Sequence, residues 1–123
     1  MNKETAKPQL TAYECMLIVC SKLVQKGKTI LRLDNLVPTL FDFKDNEDTR
    51  MLFEDVAFKK NIDTITSVDI EDSLSKLQTF GAIGKLNPAY EKIVIYITPE
   101  EADNFLQSYA DYDVPADIIS EAF

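Results

Sequence analysis

The segment 66–101, TSVDIEDSLSKLQTFGAIGKLNPAYEKIVIYITPEE, carries the strongest local punctuation in the chain and leaves little choice of fold. Ser67 is a good helix cap, Ile70, Leu74 and Leu77 recur at helical spacing, and Gly81 supplies the stop. Residues 82–86 and 92–97 then read as two strands joined by a five-residue loop, 87–91. Ile93, Ile95 and Ile97 alternate with Val94, Tyr96 and Thr98, which puts the isoleucines on one face and Tyr96 on the other. Thr98, Pro99 and Glu101 then open a new helix with a cap, a first-turn proline and a capping-box glutamate. Its inner stripe is Ala102, Phe105, Leu106 and Tyr109. Helix, hairpin, helix is thus written locally.

The residues before this segment are predicted to be mostly helical. Thr11 and Glu14 form a capping box that opens a helix ending near Lys26, with Gly27 as its stop. Tyr13, Met16, Leu17, Cys20, Leu23 and Val24 make its core stripe. On the opposite face Ile18 sits among Glu14, Cys15, Lys22 and Gln25, where a lone apolar residue is ordinarily unremarkable; the alternative is a contact point for another helix. Ile30 and Leu31 suggest a short strand. Asp34 and Pro38, taken as a first-turn proline, suggest a short helix reaching Phe43. The run 44–60, KDNEDTRMLFEDVAFKK, reads as a further helix, acidic at its start and basic at its end, with Met51, Leu52, Phe53, Val56 and Ala57 inward. Residues 61–66 are then a connector.

A chain of 123 residues is the size of one domain, and no internal repeat is visible. We expect a flexible N-terminus over 1–10, a domain over 11–110, and an acidic amphipathic tail over 111–123 that adds a turn or two of helix from Pro115. The longest apolar run, CMLIVC, falls far short of the roughly 20 residues that span a bilayer, and residues 1–10 lack the apolar core of a secretory signal. Cys15 and Cys20 lie on different faces of one helix, so they cannot bridge each other; reduced thiols fit a cytoplasmic setting.

The order of elements resembles the winged-helix family, in which a helix ends in Leu-x-x-x-Gly-x-Ile, a wing hairpin follows, and a final helix opens with Thr-Pro-Glu. Leu77, Gly81, Ile83, Thr98, Pro99 and Glu100 match that pattern. The resemblance spans roughly residues 11–110 and implies a mostly helical α+β domain: a three-helix core with a β-hairpin wing and extra N- and C-terminal helices. It also implies that the third helix, 67–80, would be the DNA reader.

Charge argues against that last implication. The net charge is −8; residues 1–61 balance at +1, whereas residues 62–123 carry three Lys/Arg and twelve Asp/Glu. With Ile70, Leu74 and Leu77 inward, the outer side of 67–80 presents Asp69, Glu71 and Asp72 with the lone ammonium of Lys76. Carboxylates repel phosphates and release no counterions, and their other role is to favour a helix N-terminus. The wing adds only Lys85 and Lys92, beside Glu91.

The sequence points to no catalytic residue, cofactor or metal. It has no histidine, no phosphate-cradling glycine loop and no nucleophile elbow. The acidic run 42–48 lacks the central glycine and distal glutamate of a calcium loop, and so reads as a helix start. The expectation is a non-enzymatic regulatory or adaptor domain that meets a protein partner through Asp69, Glu71, Asp72 and Lys76 and through the apolar tail residues Ile118, Ile119 and Phe123, or that forms a homodimer through its first and last helices. Two alternatives stand beside it. One is a DNA-binding regulator that uses the basic residues Lys22, Lys26, Lys28, Arg32, Lys59 and Lys60; the other is a small acidic inhibitor that mimics DNA in the groove of a nucleic-acid enzyme.

Overall fold

The computed structural model describes residues 10–86 and 91–123. Residues 1–9 of the expected flexible N-terminus and most of the wing loop, 87–90, lie outside the described residues, whereas Leu10 is buried in the core. The chain is α+β and mostly helical. In order it runs α1 (Ala12–Gln25), β1 (Ile30–Arg32), α2 (Leu33–Phe41), a 3-10 turn (Arg50–Phe53), β2 (Lys59–Lys60), β3 (Ile65–Thr66), α3 (Val68–Thr79), β4 (Ile83–Leu86), β5 (Lys92–Ile95), α4 (Pro99–Ser108), a second 3-10 turn (Ala110–Tyr112) and α5 (Asp113–Ser120). None of the described helices is long and apolar enough to cross a membrane.

Both capping boxes form. The Thr11 hydroxyl accepts the Glu14 N–H at 3.1 Å, and Thr98 does the same for Glu101. At the other end of α3, Gly81 takes φ +79°, a left-handed turn that a side chain resists. A Cβ there would meet nothing within 4 Å, so the backbone alone sets the penalty. Gly81→Ala should therefore lower stability by about 1–2 kcal/mol, readable as a fall in thermal midpoint with an unchanged circular-dichroism spectrum.

The main sheet has the order β1–β5–β4, antiparallel throughout, with Leu31 opposite Ile93 and Ile83 opposite Ile95. Those four residues and Ile97 are buried, while Tyr96 is exposed on the outer face, as the alternation predicts. A separate two-stranded hairpin, β2–β3, pairs Lys59 with Thr66 and Lys60 with Ile65 where the sequence suggested the end of a helix and a connector.

Helix α1 is the centre of the molecule. It is packed by α3, α4 and α5, and every residue from Cys15 to Val24 is buried. A single core stripe with Ile18 opposite is therefore too narrow a reading: Ile18, Cys15 and Val19 are as buried as Met16 and Leu23. A helix apolar on nearly all sides is one that neighbours surround. The buried thiols are correspondingly hard to ionise; burial pushes the Cys20 thiol up to about 12.

The helix expected over 44–60 is absent. Residues 42–49 are mostly turns, one 3-10 turn follows, and residues 59–60 are β-strand. Polar side chains claim the backbone groups a helix would need: the Thr49 hydroxyl donates to the Phe43 carbonyl at 2.7 Å, and the Asn46 side-chain oxygen accepts the Asp48 N–H at 2.8 Å. Tertiary packing then bends the chain back, because Phe58 stacks edge-on against Phe41 at 5.5 Å and lies 6.1 Å from Phe53. Leu52, Phe53 and Val56 are buried as expected, but Ala57 is exposed. Helix α2 likewise begins one residue before Asp34, so Pro38 falls inside it rather than in its first turn.

Candidate functional site

Two side chains at the start of α3 fix its position on the body of the protein. The Ser67 hydroxyl accepts the Ile70 N–H at 3.2 Å and donates to the Ala57 carbonyl at 2.8 Å. The Asp69 carboxylate accepts the Ala57 N–H at 2.8 Å. The backbone of Ala57 is thus held on both sides, and Asp69 is half-buried and committed to that task. Glu71, Asp72 and Lys76 are exposed. The structure therefore brings the predicted α3 residues together but divides their roles: Asp69 anchors, and Glu71, Asp72 and Lys76 face solvent.

Beside Asp72 lies a groove of about 470 Å³ between the N-terminus of α1 and the outer side of α3. Ala12, Tyr13 and Phe80 line it, with the two rings edge to face at 6.2 Å and Phe80 72% exposed. Asp55, Asp69 and Asp72 also line it, with Lys76 as the one cation among the described residues. Asp55 accepts the Ala12 N–H at 3.0 Å, so α1 starts against a carboxylate, as its dipole favours. Among the described residues, three carboxylates against one ammonium make the lining negative beside the two aromatic rings. Sequence reasoning placed Tyr13 in the core and passed over Phe80 and Asp55. Phe80 sits just past the last turn of α3, where helical periodicity no longer assigns a face.

The remaining predicted residues are placed differently. Ile119 is fully buried and Phe123 packs partly against the core, so the tail offers no three-residue apolar patch; this corrects that expectation. Ile118 is half-buried, and the apolar residue α5 exposes is Val114. The cause is that α5 lies on α1 with Ala116 and Ile119 inward.

That docking also takes up half of the basic set. Lys22 is buried, its ammonium 2.5 Å from the Asp113 carboxylate. Lys26 bridges Asp117 at 2.6 Å and Glu121 at 3.1 Å, and Lys28 donates to the Ser120 carbonyl at 2.9 Å. Arg32 holds Asp34 through two hydrogen bonds. Lys60 lies 5.8 Å over the Phe41 ring, and Lys59 is exposed. Three of the six cations therefore fasten the C-terminal helix instead of forming a ridge.

Glu14 and Tyr109 tie α4 to α1 through a 2.8 Å hydrogen bond. The Thr11 backbone N–H, then the Tyr109 hydroxyl, hold the Glu14 carboxyl below its ordinary range, and burial followed by Glu14 pushes the Tyr109 phenol up to about 12. The described residues contain no cluster of three or more His, Cys, Asp or Glu placed to hold a metal ion. No family model, curated protein or solved structure matches the chain.

Proposed function

We propose that the chain is a non-enzymatic regulatory or adaptor domain, built on a winged-helix-like scaffold, that binds another protein through the outer face of α3 and the groove beside it. The observation that carries this reading is the groove itself: an exposed Phe80 ring beside Tyr13 and three lining carboxylates, on the helix that the winged-helix resemblance makes the DNA reader and whose charge disfavours DNA. Exposed aromatics give a protein interface most of its binding energy, and unlike charge across the rim selects the partner and speeds encounter. Support for the scaffold is the element order, with Ser67-capped α3 as the third α-helix, β4–β5 as the wing, and α4 opening at Thr98-Pro99-Glu100.

Duplex DNA is the weaker reading. Glu71 and Asp72 would meet phosphates, while Lys22, Lys26 and Lys28 are engaged by α5. The double reversal Glu71→Lys/Asp72→Lys tests the choice while leaving the anchoring Asp69 intact. In capture from native extract, with half of each sample treated with nuclease, it should weaken the partner at least about tenfold while the fold persists by circular dichroism. An unchanged protein catch, or one that vanishes on nuclease treatment, would overturn the reading. Inhibition of a nucleic-acid enzyme that added DNA reverses would favour DNA mimicry instead.

A further inference from the structure

The tip of the β2–β3 hairpin poses a separate question. The turn is closed by the Asn61 N–H donating to the Thr64 carbonyl at 2.8 Å, and Ile62 stands on it 99% exposed. Turns favour Gly, Asn, Asp or Ser, each for a backbone reason that a β-branched isoleucine does not serve. One exposed apolar residue is ordinary on any surface. What sets Ile62 apart is the groove of about 470 Å³ next to it, between the hairpin and α2, whose apolar lining is Leu33, Val37, Pro38 and Ile65. Ile62 continues that lining out to the surface.

The rim gives the charge of the occupant. It holds Asp34, Asp63, Glu71 and Lys60. Arg32 answers Asp34 at 2.9 Å, and the Lys60 ammonium lies over the Phe41 ring. Among the described residues Asp63 and Glu71 have no ion pair, so the rim is left negative over an apolar floor. A nucleic acid or an anionic membrane would be repelled, and a second copy of this chain brings a net charge of −8 to the contact.

We propose that this hairpin groove seats a basic peptide segment of the partner, one aliphatic or aromatic side chain entering between Ile62 and Val37 while flanking Lys or Arg residues face Asp63 and Glu71. The proposal rests on the protein-binding reading above and adds the chemistry of what binds. Glu71 lines this groove and its neighbour Asp72 lines the one at Phe80, so one partner segment can reach both across α3.

Amide chemical-shift mapping decides it. The full chain, labelled with nitrogen-15, is titrated with a synthetic amphipathic peptide of Leu and Lys, and with two counterparts in which Ser replaces Leu or Glu replaces Lys. Saturable shifts are expected at Val37, Ile62, Ile65 and Glu71 with the Leu/Lys peptide alone. Ile62→Ser should weaken that binding about tenfold, the value of one apolar anchor. This variant should fold normally, because the side chain it removes is exposed. Shifts confined to Tyr13, Asp72 and Phe80 would overturn this inference and leave the α3 reading standing. Equal binding of the Ser counterpart, or shifts spread over all acidic surfaces, would also overturn it. No saturable shift anywhere would count against both.

Discussion

Ile18→Ala should lower the free energy of unfolding by about 2–5 kcal/mol, the range for removing a fully enclosed aliphatic side chain that leaves a cavity. Ile62→Ala should stay within about 0.5 kcal/mol, because its side chain is almost wholly in water already. The two residues are the same type, so the contrast isolates burial from chemistry. It follows from α1 having no solvent face between Cys15 and Val24, where α3, α4 and α5 close around it. A 100-residue domain is held by only about 5–15 kcal/mol, so the loss in the first variant is a large fraction of the whole. Chemical denaturation followed by circular dichroism, with equal denaturant slopes for the two variants, provides the measurement. A loss below about 1 kcal/mol at Ile18 would mean that α1 is peripheral and that the helices around it are misplaced.

Ile18 also shows why some of this fold is legible in the sequence and some is not. A 3.6-residue period detects one apolar face, and Tyr13 to Val24 display one. Ile18 and Cys15 sit among the polar Glu14, Lys22 and Gln25 on the other face, so they look incidental until α3, α4 and α5 enclose them. Elements whose ends carry their own chemistry were readable: Thr11 with Glu14, Thr98 with Glu101, Ser67, Gly81, and the Ile93–Ile95–Ile97 alternation all take the geometry their residues favour. The run 44–60 misled because its acids and lysines match a helix dipole, whereas Asn46 and Thr49 capture backbone groups and Phe58 returns to Phe41. Only the first of those effects is local.

The candidate site divides in the same way. That Glu71 and Asp72 face outward was legible from the Ile70/Leu74/Leu77 stripe. That Asp69 turns back to the Ala57 N–H was not, because its partner belongs to a segment whose path the sequence misassigned. Tyr13 and Phe80 meet only after α1 and α3 pack, and no spacing in the chain records that meeting.

The clasp between α1 and α5 has an asymmetric expected behaviour. Asp113→Ala should cost about 1–3 kcal/mol, because it leaves the Lys22 ammonium buried without its carboxylate. The lower part of the range for buried pairs applies, since the Asp113 side chain is 51% exposed and water can partly take its place. Lys22→Met should instead lie within about 1 kcal/mol of the parent, because a thioether of similar length needs no counter-charge there. The double variant should recover most of the Asp113→Ala loss, and the double-mutant cycle isolates the pair from the helix-dipole contribution of Asp113. Lys26 and Asp117 add a pH signature. The Lys26 ammonium holds the Asp117 carboxyl below its ordinary 3.8, so the stability it contributes is present above that value and is lost as pH falls through the lower folded one. Asp117→Asn should flatten that part of an acid-unfolding curve. If Asp113→Ala costs nothing, Lys22 is not clamped and α5 is not what withholds Lys22, Lys26 and Lys28 from a polyanion. If the cycle behaves as expected, removal of residues 111–123 should uncover those three ammonium groups together, and salt-sensitive retention on duplex DNA should then appear in the truncated chain and not in the full one.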